Sequence, residues 1–207
     1  MIREKIFKNI CIGALMGTAL SSGILYGVQY QQQKQLQEQL AEKVIRFHVL
    51  ANSDSEEDQA LKLLVRDAIG GYMQELPVAE DKAACEAILV ERIDEIEQVA
   101  EEVIENEGYS YEVAACLTEC DFPVKTYGEY TFPAGTYEAL RVTIGAGEGA
   151  NWWCVMYPNM CFENSMYEVV DENAKKALRE VLDEEEYEAV LASGKYEIRF
   201  RLLDFFR

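Results

Sequence analysis

The chain has 207 residues, of which 38 are Asp or Glu and 19 are Lys or Arg, so its net charge is −19. That charge excludes nucleic-acid binding, because affinity for phosphates depends on clustered Lys and Arg. A hydrophobic share of 49% and an aromatic share of 11% exclude a disordered chain, and the length predicts one folded domain.

The N-terminal segment combines a basic start with a long uncharged stretch, residues 9–33. Within it, residues 10–28 approach the roughly 20 apolar residues that span a membrane, and they also resemble the apolar centre of a secretory signal. The sequence therefore predicts that residues 1–30 are a signal peptide or a membrane anchor, with membrane contact through residues 10–28 if the segment is not cleaved. Both alternatives place the remainder outside the cytoplasm.

A polar, helix-prone spacer is predicted over residues 31–42, and the folded domain over residues 43–207. Residues 44–50 are rich in β-branched and aromatic side chains, which predicts a first strand. Ser53 followed by Glu56 has the spacing of a capping box, so a helix is expected to begin there. Gly70-Gly71 predicts that this helix ends at the two glycines or shortly after them.

The next segment predicts a second, longer helix over residues 81–107, because apolar residues recur there at helical spacing. Gly108 stands where a C-terminal cap is expected. From Tyr109 the pattern favours strands separated by Pro and Gly, and the last part of the chain favours two short helices, capped by Asp171 and Asp183, before a final strand. The predicted strands cover residues 109–119, 125–132, 136–145 and 195–206, and the short helices cover residues 171–182 and 183–191.

These elements predict an α+β fold: a single domain with a mixed or antiparallel sheet and two long N-terminal helices, preceded by a signal peptide or signal-anchor helix. Trp152 and Trp153 are expected to point to opposite faces of a strand, so that one can fill the core while the other is exposed for binding. An alternative is that both lie in the core.

Five of the six cysteines follow the N-terminal segment, an odd number for an oxidising compartment. Cys154 and Cys161 flank a short loop and are the predicted disulfide. Cys116 and Cys120 are less suitable partners, because on one strand they would lie about 13 Å apart. The spacing from Cys154 to Cys161 is also wide for structural zinc, so no metal site is predicted. The state of Cys85, Cys116 and Cys120 stays open.

Two loops resemble ligand-binding motifs but lack essential features. Residues 52–58 have the alternating acids of a calcium loop, yet Glu57 occupies the position that requires Gly, so helix capping is the favoured interpretation. Residues 145–149 have the glycines of a phosphate-binding loop, but Glu148 would repel an anion and no helix follows. A flexible connection between strands is predicted there.

His48 is the only histidine in the chain. With Cys154 as nucleophile it would allow an extracytoplasmic cysteine hydrolase, which is the alternative function. A disulfide at Cys154 and a local hydrogen bond at His48 are favoured instead, so the protein is not expected to be an enzyme.

Two blocks of sequence are more specific than any single motif above. The first reads VIRFHVLANSDS at residues 44–55, EDQALK at 57–62 and VRDA at 65–68; the second reads FPAG at 132–135, YEALRV at 137–142 and NWWCVM at 151–156, followed by Pro158 and Cys161-Phe162. Together they cover about residues 43–163 and resemble the stage II sporulation protein R family.

The resemblance implies a signal and no catalytic residues. Members of this family are made in the forespore of endospore-forming bacteria and exported into the space between the forespore and mother-cell membranes. There they stimulate a membrane-embedded aspartic protease, which processes the precursor of the mother-cell sigma factor E.

We therefore expect this receptor-protease of the mother cell to be the partner, and we expect no cofactor. The candidate contact residues are Asn151, Trp152 and Trp153, with His48 and Asn52 as a nearby second patch. The domain is expected to bind the extracytoplasmic side of the receptor and to favour its active state.

Overall fold

A computed structural model describes residues 2–160 and 172–193, which form one α+β domain that follows a long N-terminal helix. The predicted fold class is confirmed. The helices are α1 (Ile2–Lys43), α2 (Glu56–Glu75), α3 (Lys82–Glu91), α4 (Ile93–Asn106), α5 (Glu172–Val181) and α6 (Glu184–Ser193), and the strands are β1 (Ile45–Leu50), β2 (Val113–Phe122), β3 (Lys125–Tyr127), β4 (Tyr130–Phe132), β5 (Gly135–Ile144) and β6 (Asn151–Tyr157).

The main sheet contains four of the described strands, in the order β2-β5-β1-β6. β1 runs parallel to β5, whereas β2 pairs antiparallel with β5 and β6 pairs antiparallel with β1. The sheet is therefore mixed, as predicted. β3 and β4 form a separate hairpin.

One face of the main sheet packs against α2, α3 and α4, and we call it the helical face. Its strand residues are mostly aliphatic, and so are the helix residues that cover it. Alternation along each strand places these apolar side chains on one side of the sheet. The buried set includes Phe47, Val49, Leu140, Val142 and Ile144 from strands and Leu61, Val65, Ile69, Leu89, Ile96 and Ile104 from helices.

The opposite face carries Arg46 and His48 of β1 with their cross-strand neighbours, and we call it the aromatic face. Part of it is covered by the β3–β4 hairpin, whose Tyr127 accepts a hydrogen bond from Arg46 Nη2 at 3.1 Å. Helix α6 packs on the outside of the hairpin, and the hydroxyl groups of Tyr130 and Tyr187 lie 2.6 Å apart. The buried side chains of the two faces thus differ in chemistry, although they belong to one continuous core.

Helix α2 differs from its prediction at its N-terminus. Its N-cap is Ser55, whose hydroxyl accepts from the Asp58 backbone N–H at 3.1 Å, so the expected cap at Ser53 is wrong. The Ser53 hydroxyl instead donates to the Asp58 carboxylate at 2.5 Å. The helix continues through both glycines and ends at Glu75, shortly after them as predicted, because packing of its apolar side chains outweighs a cost of about 1 kcal/mol per glycine.

The predicted single helix over residues 81–107 is wrong, since the chain breaks at Arg92 into α3 and α4. Arg92 leaves the helical region at φ −106° and ψ 12°. Each half keeps an apolar stripe, which is why the periodicity alone suggested one helix. Gly108 has φ +82°, in the left-handed region that a C-terminal glycine cap uses, which confirms that prediction.

The polar spacer over residues 31–42 is helical, as predicted, because α1 continues without a break to Lys43. Its last turns belong to the domain: Leu40 is fully buried in the core, and Lys43 Nζ pairs with the Glu186 carboxylate at 2.5 Å. The predicted Asp183 cap is confirmed by a hydrogen bond of 2.9 Å from the Glu186 N–H. The predicted cap at Asp171 and the final strand over residues 195–206 lie outside the described residues.

Among the residues that the structure describes, no helix is both long enough and sufficiently apolar to cross a membrane.

Candidate functional site

A row of four side chains crosses the aromatic face, one from each strand of the main sheet. Cys116 lies opposite Arg141, Arg141 lies beside His48, and His48 lies opposite Trp153. We call this set, Cys116, Arg141, His48 and Trp153, the cross-strand row. Because neighbouring strands are about 5 Å apart, the row forms one continuous surface.

The two tryptophans point to opposite faces, as predicted. Trp153 is half-buried on the aromatic face and stacks on His48, with ring centroids 4.9 Å apart and planes within 10°. Trp152 is buried on the helical face, where its ring lies 5.4 Å from that of Phe47. Trp152 is therefore a core residue, and Trp153 is the tryptophan that a partner can reach.

His48 is the buried member of the cross-strand row, and 4% of its surface is exposed. Neither ring nitrogen has a hydrogen-bond partner among the described residues, so the expected local hydrogen bond is wrong. Burial, followed by the nearby charges of Arg141 and Arg46, lowers the pKa of His48 to about 4. The imidazole is therefore neutral at physiological pH and acts mainly as a flat platform for Trp153.

Arg141 is the charged member of the cross-strand row and is exposed. Its row neighbours are His48 and the half-buried, free cysteine Cys116, neither of which is a carboxylate. Within the described part of the chain, Arg141 makes no ion pair, whereas lysines elsewhere, such as Lys82 with Glu138 at 3.0 Å, are paired. This guanidinium is thus free for an external acceptor.

Asn151 lies two residues before Trp153 and shares its face of β6. Its side-chain oxygen is buried and has no hydrogen-bond partner among the described residues. A buried acceptor left in this state costs about 1–3 kcal/mol, so a donor that reached it would be favoured. Asn151, His48 and Trp153 are therefore the predicted contact residues that the structure brings together.

Asn52 lies apart from them and is engaged within the chain. Its side-chain amide donates to the Asp58 carboxylate at 2.9 Å, and its oxygen accepts from the Ala146 N–H at 3.0 Å. Gly145 has φ +56° and lies so close to Asn52 that a side chain would not fit. The role of Asn52 in binding stays a prediction. In the structure, its side chain binds the loop at Ala146.

That loop, residues 145–150, is fixed by the segment 51–54, which contradicts the flexible connection expected from its glycines. The Gly149 N–H donates to the Ala51 carbonyl at 3.0 Å, and the Ala150 N–H donates to the Asp54 carboxylate at 2.6 Å. We call these two segments the clasp. Asp54 thus serves a loop contact, while Glu56, Glu57 and Asp58 occupy the first turn of α2, as the capping interpretation predicted.

Two cationic side chains of α2 connect this helix to the start of β6, and neither was predicted from the sequence. Lys62 is buried and donates to the Ala150 carbonyl at 2.8 Å, directly before β6 begins. The guanidinium carbon of Arg66 lies 5.2 Å from the Trp152 ring centroid. The two blocks of the family resemblance therefore contact each other and set the position of Asn151, Trp152 and Trp153.

Arg46 is another residue that was not singled out from the sequence. It is fully buried, and four rings surround its guanidinium carbon at centroid distances from 4.3 Å to 5.9 Å: Phe122, Tyr137, Phe132 and Tyr127. Its Nε donates to the Cys154 carbonyl at 2.9 Å. Burial lowers the pKa of Arg46, and the tyrosines oppose that shift. The sequence feature that could have indicated its burial is an arginine within a strand of mostly apolar residues.

Cys154 is disulfide-bonded, and the predicted partner, Cys161, lies outside the described residues. The Cys154–Cys161 pairing therefore stays a prediction. Cys154 faces Phe47 in the register, on the helical face, whereas His48 lies on the aromatic face. The two side chains therefore cannot form the Cys154–His48 catalytic pair that the hydrolase alternative requires.

Cys85, Cys116 and Cys120 are free thiols. Cys85 is buried, which raises the pKa of its thiol to about 12, while Cys116 and Cys120 are half-buried on β2. Within residues 2–160 and 172–193, no group of three or more His, Cys, Asp or Glu side chains is arranged to hold a metal ion.

Comparison with known proteins matches residues 41–167 to the family model of stage II sporulation protein R. A similar curated protein, stage II sporulation protein R of Bacillus subtilis (strain 168), is 35% identical over 158 residues, which are 74% of this chain and 69% of that protein. No solved structure is significantly similar.

Proposed function

The chain belongs to the stage II sporulation protein R family, and from this premise we propose that it is an exported signal that activates a membrane-embedded aspartic protease. The protease then processes the pro-sigma-E precursor in the mother cell. The signal acts from the space between the forespore and mother-cell membranes, either released or anchored through residues 10–28. The protein acts by binding, not by catalysis.

The observation that carries the proposal is the cross-strand row. It presents a half-buried Trp153 and an exposed Arg141 on one face of the sheet, with His48 between them. Tryptophan and arginine are the residues most enriched at the energetic centres of protein interfaces. Since His48 fixes the Trp153 ring by stacking, little side-chain entropy is lost when a partner covers it.

Activation requires that the domain bind the active form of the receptor-protease more tightly than the inactive form. Equal affinity for both forms would shift nothing, and a shift from 1% to 99% active needs roughly 10⁴-fold preference. A preorganised surface favours such binding, because the side chains already have their bound positions before the receptor-protease binds.

The first test replaces Trp153 with alanine in sporulating cells and measures processing of the sigma-E precursor. We expect Trp153→Ala to reduce processing at least about tenfold, as loss of an interface anchor does. Trp153→Phe keeps a ring over His48 and should retain part of the activity.

The matched control is Leu64→Ala, because Leu64 is 43% exposed on α2, away from the aromatic face. That variant should process the precursor normally. Equal amounts of folded, exported protein must be verified for each variant. Normal processing by Trp153→Ala would contradict the proposed binding surface.

A further inference from the structure

Arg141 stands out among the cations of this acidic chain. Most described lysines and arginines of the surface pair with a carboxylate, for example Lys43 with Glu186, Lys82 with Glu138 and Arg92 with Glu95. Arg141 has none among the described residues, although the chain carries 38 acidic side chains. An exposed guanidinium without a carboxylate partner among the described residues, on the same face as a half-buried tryptophan, is a candidate site for an external counter-charge.

The surroundings of Arg141 keep it free. On its own strand, the nearest residues of the same face are the buried Ala139 and the half-buried Thr143, and across the strands lie Cys116 and His48. None of these four side chains is a carboxylate. Among the described residues, the neighbours of Arg141 therefore supply no ion-pair acceptor for its guanidinium.

A second group on the same surface defines what a partner must offer. Trp153 provides a half-buried apolar ring one strand beyond His48. A carboxylate can take two parallel hydrogen bonds from arginine, which gives orientation as well as energy. A polypeptide segment with an acidic side chain and a neighbouring apolar side chain matches both Arg141 and Trp153.

We infer that the surface of Arg141 and Trp153 binds an acidic segment of the receptor-protease, with a receptor carboxylate paired to Arg141. This inference rests on the proposed function and adds the chemistry of the partner. It also explains how an overall acidic protein can recognise an acidic segment, because the local charge at the cross-strand row is positive.

The experiment uses the full-length chain in sporulating cells, with precursor processing as the readout. Arg141→Gln and Arg141→Glu should each reduce processing at least about tenfold, with the larger loss for Glu because two carboxylates then repel. Arg141→Lys keeps the charge without the planar fork and should lose less. Arg92→Glu is the control, because Arg92 is exposed between α3 and α4 on the other side of the sheet.

A second measurement identifies the paired group. In cells that produce Arg141→Glu, each acidic residue of the extracytoplasmic receptor segments is changed to lysine, one at a time. We expect one such change to restore processing for Arg141→Glu but not for Trp153→Ala. Normal processing by both Arg141→Gln and Arg141→Glu would overturn the inference, and with Trp153→Ala still inactive the proposed function would stand without it.

Discussion

The two faces of the main sheet bury side chains of different chemistry along the same strands. The helical face is closed by mostly aliphatic side chains from α2, α3 and α4, whereas the aromatic face holds Arg46 and His48 among rings. Buried aliphatic packing contributes to stability but leaves no polar group for a partner to recognise. The difference teaches that the helical face contributes packing alone, whereas the aromatic face combines packing with the cross-strand row that a partner can recognise.

The largest expected effect is on stability, and it distinguishes the contribution that Arg46 makes by packing from the contribution of its charge. Arg46→Ala leaves a cavity among four rings, so we expect the free energy of unfolding to fall by about 3 kcal/mol. Arg46→Met fills the same space without a buried charge and should change stability by less than about 1 kcal/mol. Chemical denaturation of both variants measures this. A loss in Arg46→Met as large as in Arg46→Ala would mean that the charge itself stabilises the aromatic face.

The second prediction concerns pH and again involves only the aromatic face. The pKa of His48 falls from 6.5 to about 4 on folding, so the unfolded state binds the proton more readily between these values. Stability should therefore decrease as pH falls through this window, by about 2 kcal/mol between about pH 7.5 and about pH 5.

His48→Phe keeps a ring against Trp153 and removes this proton site, so the difference in stability between wild type and His48→Phe isolates the effect from the many carboxylates. Denaturation curves at several pH values provide it. A difference that does not change with pH would show that His48 is not buried as a neutral imidazole.

The third prediction tests the clasp, which positions β6 and so affects both faces. A side chain at Gly149 would overlap the Ser53 carbonyl oxygen, and we expect Gly149→Ala to cost about 1 to 2 kcal/mol. Gly71→Ala is the control, because Gly71 lies in α2 with open space around it and should gain up to about 1 kcal/mol. Thermal unfolding compares them. If both substitutions had the same sign, the clasp would not be rigid at Gly149.

Sequence reasoning located most elements because alternation and helical periodicity are local properties. It failed where two local signals competed. Ser53 and Ser55 each precede an acidic residue by three positions, and only the contact between Ser53 and Asp58 decides that Ser55 caps the helix. The break between α3 and α4 at Arg92 could not be predicted either, because the apolar pattern continues on both sides of it.

The candidate site shows the same division. Asn151, Trp153 and His48 were predicted from residue type and lie on one face. Arg141 was missed, because its importance comes from neighbours on three other strands and from the lack of an anion among them. Arg46 was missed for a similar reason, since its rings come from separate segments of the chain. Local patterns do not report such long-range neighbours.

The most direct test of the central claim is photo-cross-linking from the aromatic face. A benzophenone side chain is placed at Cys116, in the cross-strand row but beside the proposed anchors, and separately at Leu64 on α2. In sporulating cells, we predict that irradiation links the Cys116 position, and not the Leu64 position, to the receptor-protease. Cross-linking from Leu64 with none from Cys116 would contradict the account, because the partner would then lie on the helical side of the domain.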